Sequence, residues 1–126
     1  MIRNKFFLRE SHTSLEEGLK EAKARNLSAF VVVYDPAHPT HSKLDFVLGY
    51  FMEYQTTKRL VDQHFVPIIG PSSDPLFSAL VPEDDPLERC LWVVLDQDGA
   101  LLRREGIYDN QDEGLARVRS VIATRA

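Results

Sequence analysis

The sequence predicts an α/β domain built on a mixed sheet with helices on both faces. Three observations predict it. Phe30-Val31-Val32-Val33-Tyr34 and Leu91-Trp92-Val93-Val94-Leu95 are apolar runs without polar alternation, the pattern of strands covered on both sides. Two segments, opening at Ser14 and Asn110, carry helix-capping chemistry followed by apolar residues at helical spacing. Asp96-Gln97-Asp98-Gly99 is a tight-turn sequence between two apolar stretches.

The elements follow in order. Phe6-Phe7-Leu8 is expected as a short edge strand. Ser14 can accept from a first-turn N–H and Glu17 can reach back, forming a capping box; Leu15, Leu19 and Ala22 then share one helical face, and Asn26 stops the helix. The strand Ala29–Tyr34 ends at Asp35-Pro36. A two-proline loop, residues 35–42, precedes a second helix expected from about Ser42, with Leu44, Val47, Leu48 and Phe51 inward and a kink or restart at Thr56 or Thr57. Phe65-Val66-Pro67-Ile68-Ile69 reads as a strand whose proline needs an edge or a bulge, because it cannot donate to a ladder. Residues 70–88 hold four prolines and form a long connection with one helical turn near Leu76–Leu80. The strand Leu91–Leu95, the turn and the strand Ala100–Arg104 make a hairpin. A last helix buries Leu115, Val118, Val121 and Ile122. Strand–helix–strand needs a right-handed crossover, so the first pairing is parallel; the hairpin adds antiparallel strands.

A chain of 126 residues fits one domain, residues 1–126. The hydrophobic fraction of 44% is enough for a core and excludes a disordered chain. With net charge −4 and no basic block, there is no electrostatic footprint for nucleic acid. The apolar run near residue 6 is far shorter than the ~7 to 15 residues of a secretory h-region or the ~20 of a membrane span. The expected location is the cytoplasm, with no membrane contact. There is no glycine-rich phosphate loop and no Gly-x-Ser-x-Gly motif.

The order and spacing of these pieces resemble the thioredoxin-like fold superfamily, from about Ser14 to Ile122. Ser14–Lys23 looks like the opening helix, Phe30–Tyr34 like the central strand before the active-site loop, His64–Ile68 like the next strand, and Leu95–Leu101 with Gly106 like the terminal hairpin. The resemblance implies a three-layer sandwich with four to five strands. It also locates the departures. Where redox relatives carry Cys-x-x-Cys, this chain has His38-Pro39-Thr40-His41, and the place of the family's cis-proline falls near Cys90 or Leu91. One cysteine cannot perform dithiol–disulfide exchange within one chain.

Three functions follow as expectations. First, the degenerate active-site face, comprising Pro36, His38, Pro39, Thr40, His41, Cys90 and Leu91, binds protein or extended peptide, as the resemblance implies, with no cofactor and no catalytic residue. Second, His38 and His41, spaced to share a face at a helix N-terminus that favours neutral imidazoles, hold Zn²⁺ or Cu with or without Cys90, alone or in a metal-assisted enzyme. Third, Cys90 is a single reactive thiol; against this stands its strand position, which suits a small buried hydrophobe. Elsewhere, Glu83-Asp84-Asp85 lacks the alternating ligands and turn glycine of a calcium loop and reads as a solvated loop. His12 is expected to face solvent, and His64 to meet the carbonyls of a helix C-terminus. Phe46 and Tyr50 lie off the inward face of the second helix, either packing against the sheet or forming an interaction surface.

Overall fold

The computed structural model describes Met1, residues 3–37 and residues 44–125. Within them the chain runs α1 (Leu15–Arg25), β1 (Ser28–Tyr34), a π-helical turn (Leu44–Leu48), α2 (Gly49–Phe51), α3 (Gln55–His64), β2 (Phe65–Pro71), α4 (Pro75–Ser78), β3 (Leu91–Leu95), β4 (Leu101–Gly106) and α5 (Gln111–Arg125).

The sheet order is β2-β1-β3-β4. β1 pairs parallel with β2 and antiparallel with β3, and β3 pairs antiparallel with β4. The parallel pair is the one joined through helices, and the antiparallel pair β3–β4 is the one joined by a tight turn, as chain geometry requires. Alternation along β1 explains why its sequence does not alternate. Phe30 and Val32 enter one apolar cluster with Trp92, Val94, Phe51, Val61 and Val118. Ala29, Val31 and Val33 enter another with Val93, Ile68, Leu15 and Phe77. Helical segments from 44–64 and α5 cover the first face; α1 and α4 cover the second.

The caps act as their sequences imply. Ser14 Oγ accepts from the Glu17 N–H, and Asn26 closes α1 in the left-handed region at φ 56°. Asn110 Oδ1 accepts from the N–H groups of Asp112 and Glu113. Pro67 is tolerated because β2 is an edge strand.

Three expectations need correction. Phe6-Phe7-Leu8 is not a strand: Phe6 and Phe7 are buried, with Phe7 edge-on to Phe30 at 5.6 Å. The strand-like contact falls at His12, whose N–H donates to Pro67 O and whose carbonyl accepts from Ile69 N–H, covering the β2 edge. This placement makes His12 8% exposed rather than solvent-facing. Finally, β4 begins and ends later than expected, at Leu101–Gly106. The second helix breaks at Met52–Tyr54 and restarts at Gln55, just before the expected threonines; its expected start at Ser42 lies outside the described residues. Where α2 meets α5 the backbones touch: a Cβ at Gly114 would collide with the Phe51 carbonyl.

Candidate functional site

The β1 strand delivers its C-terminal end, Tyr34, beside the start of β3, because Val33 pairs with Leu91. The turn that follows is pinned by Asp35, whose Oδ1 accepts from Ala37 N–H at 3.0 Å. Pro36 sits in this turn, exposed. His38, Pro39, Thr40 and His41 lie outside the described residues.

Cys90 is brought to this end of the sheet but not to its surface. It is 1% exposed, packed in the cluster with Trp92, Phe51 and Phe30, and its carbonyl accepts from Ile107 N–H at 3.0 Å. Burial pushes its thiol up to about 11, because a thiolate there would lose its hydration. At neutral pH about one molecule in ten thousand carries the thiolate. Leu91, at 3% exposed, belongs to the opposite cluster. Around Cys90 and Leu91 the face therefore offers backbone, not side chains. The loop leading to Cys90 is held tightly: Leu87 adopts φ 54°, uncommon for a bulky residue, and its N–H donates to Asp85 Oδ1 at 2.8 Å.

For metal binding, no group of three or more His, Cys, Asp or Glu side chains converges among the described residues. For single-thiol chemistry, Cys90 is buried, its thiol is pushed up by that burial, and no basic side chain acts to lower it. Glu83 and Asp84 are exposed, as a solvated loop requires. His64 ends α3.

Two further features emerge from tertiary contacts. His12 Nε2 lies 2.8 Å from Glu21 Oε1, while Glu21 Oε2 accepts from Arg9 and Arg25, and Arg9 also reaches Asp62. This network ties the N-terminal segment to α1 and α3. The second is a groove beside the π-helical turn. Phe46 is 53% exposed and Tyr50 40%, with their rings edge-on at 4.8 Å. Of the two readings of these aromatics, the structure takes the exposed one; Val47, Leu48 and Phe51 take the inward face.

Three solved structures share this architecture. A thioredoxin from Thermus thermophilus superposes with a TM-score of 0.65 at 21% identity, over 89% of this chain and 86% of its own. The fold is thioredoxin-like. A putative disulphide-isomerase from Bacteroides thetaiotaomicron gives 0.70 at 15% identity, over 95% and 97%, and a DsbH oxidoreductase 0.63 at 14%, over 98% and 91%. No protein-family model matches the chain, and no curated protein is significantly similar in sequence. The sheet order places β1 inside the sheet, as expected of the strand before the loop, and β3–β4 as its C-terminal antiparallel pair. Among the described residues no peptide bond is cis, and no helix is long and apolar enough to cross a membrane.

Proposed function

We propose that this chain is a thioredoxin-like binding module that grips protein or extended peptide without dithiol exchange. The observation that carries the reading is the state of Cys90: the chain's one cysteine is sealed in the core and protonated at neutral pH. Exchange needs an accessible thiolate and a second sulfur to resolve the mixed disulfide, and this cysteine is neither accessible nor accompanied. The fold's peptide-gripping face then remains as a surface. On this reading the face comprises Pro36, His38, Pro39, Thr40 and His41 of the loop together with the backbone at Cys90 and Leu91. Two prolines limit the loop's unbound conformations, which lowers the ordering cost of binding.

The test uses an unfolded polypeptide whose cysteines are all alkylated, so that exchange is impossible. The full chain is expected to retain it, and replacing residues 36–42 by a glycine-serine linker is expected to abolish retention. Retention undiminished by that replacement overturns the assignment of the face. Catalysed reduction of insulin disulfides above the dithiothreitol background overturns the absence of exchange.

A further inference from the structure

Among the described residues, the groove beside the π-helical turn shares none with the face described above. It encloses about 530 Å³ and is lined by the Phe46 and Tyr50 rings, by Gly49 between them in sequence, and by four charged residues. Lys5 and Asp45 neutralise each other at 3.4 Å. Glu53 and Lys58 take part in no ion pair among the described residues. The lining is therefore neutral in sum but presents one uncommitted charge of each sign. π-Helical turns recur at functional sites, and this one carries Phe46 outward while Val47 and Leu48 anchor it to the core.

The lining decides what can occupy it. All seven residues come from the N-terminal segment and from helical or helix-flanking residues, so the groove offers no strand edge. The sheet's two edges lie elsewhere: His12 bridges the β2 edge at Ile68, and β4, the opposite edge, contributes no residue to this lining. A partner strand lying in this groove would find no ladder to join there. A nucleic acid or an anionic membrane needs net positive charge, which the lining lacks. Two exposed, mutually braced aromatic rings suit a ligand that is already extended and brings flat apolar rings of its own. A polyproline II segment meets both conditions, since it keeps its shape without internal hydrogen bonds and docks on aromatic-lined grooves. The free Glu53 and Lys58 carboxylate and ammonium complement one basic and one acidic residue beside the prolines.

We infer that the Phe46–Tyr50 groove binds a proline-rich extended peptide flanked by one basic and one acidic residue. The test is fluorescence anisotropy of a labelled synthetic peptide, a run of prolines bracketed by arginine and glutamate, titrated with the full chain. Saturable binding is expected, weakened about tenfold by Phe46→Ala or Tyr50→Ala, as for aromatic anchors. Glu53→Lys, which leaves both rings in place, is expected to weaken it several-fold, and alanines in place of the prolines to remove it. Replacing residues 36–42 is expected to change nothing, which separates this surface from the face proposed above. No saturation, or binding undiminished in the aromatic variants, overturns the inference. So does concentration-dependent dimerisation that Phe46→Ala abolishes, which would assign the groove to a second copy of the chain.

Discussion

Between about pH 8 and about pH 10 a cysteine in the unfolded chain ionises, while Cys90 in the fold does not. Burial raises its thiol from the ordinary 9.0 to about 11. The contribution to stability is fully present below the unfolded value and is lost as pH rises toward the folded one, because only the unfolded state releases the proton. Two pKa units at 1.36 kcal/mol each set the full loss at about 2.7 kcal/mol, and about 1.3 kcal/mol of it falls between pH 8 and pH 10. Tyrosines and lysines also titrate in this range, so the measurement is a difference: urea unfolding of the native chain and of Cys90→Ala at both pH values. The variant is destabilised by a roughly constant amount for the lost sulfur packing. The native chain alone should show the additional alkaline loss, a fall in urea midpoint of about 1 M for a slope of about 1–2 kcal/mol per molar. Equal pH dependence in the two proteins would refute the reasoning, since it would mean that Cys90 ionises as readily folded as unfolded.

Other perturbations follow from the same packing. Gly114→Ala drives a methyl into the Phe51 carbonyl, a backbone atom that cannot swing aside, and is expected to cost about 2–3 kcal/mol in chemical denaturation. Glu21→Ala leaves the buried His12 ring and two arginines without their shared acceptor; a loss of about 1–2 kcal/mol is expected, with faster hydrogen exchange at the His12 and Ile69 amides. Phe46→Ala and Phe51→Ala should separate cleanly: the first, at an exposed ring, within about 0.5 kcal/mol of native stability, the second, in the core, losing about 3–5 kcal/mol.

The fold was legible where chain physics is local. Valine-rich runs, caps at Ser14 and Asn110, and the Asp96–Gly99 turn each state their element without reference to the rest. What failed depended on partners distant in sequence. Phe6-Phe7-Leu8 has the composition of a strand, yet the nearby Phe30 ring claims Phe7 for the core, and the β2 edge selects His12 instead. His12 looked solvent-facing because Glu21, one turn of chain and a helix away, is invisible to local patterning.

The candidate site divides along the same line. That Cys90 would be buried was readable from its place at the head of an apolar strand, but the degree of burial depends on Phe51 and Trp92, whose rings meet at 5.5 Å across the sheet–helix interface. The groove was half readable: residues 46 and 50 are off the inward face of any helix that buries 47, 48 and 51. Its charge was not, because Lys5 arrives from the N-terminal segment and Lys58 from beyond the helix break at Met52–Tyr54. That break has a tertiary cause in view. Gly114 lets α5 approach the Phe51 backbone closely at the residue where α2 ends, and α3 restarts at Gln55. The close approach at Gly114 thus fixes Phe51 in the cluster that also buries Cys90, while helical spacing leaves Phe46 and Tyr50 on the outward side of the same segment.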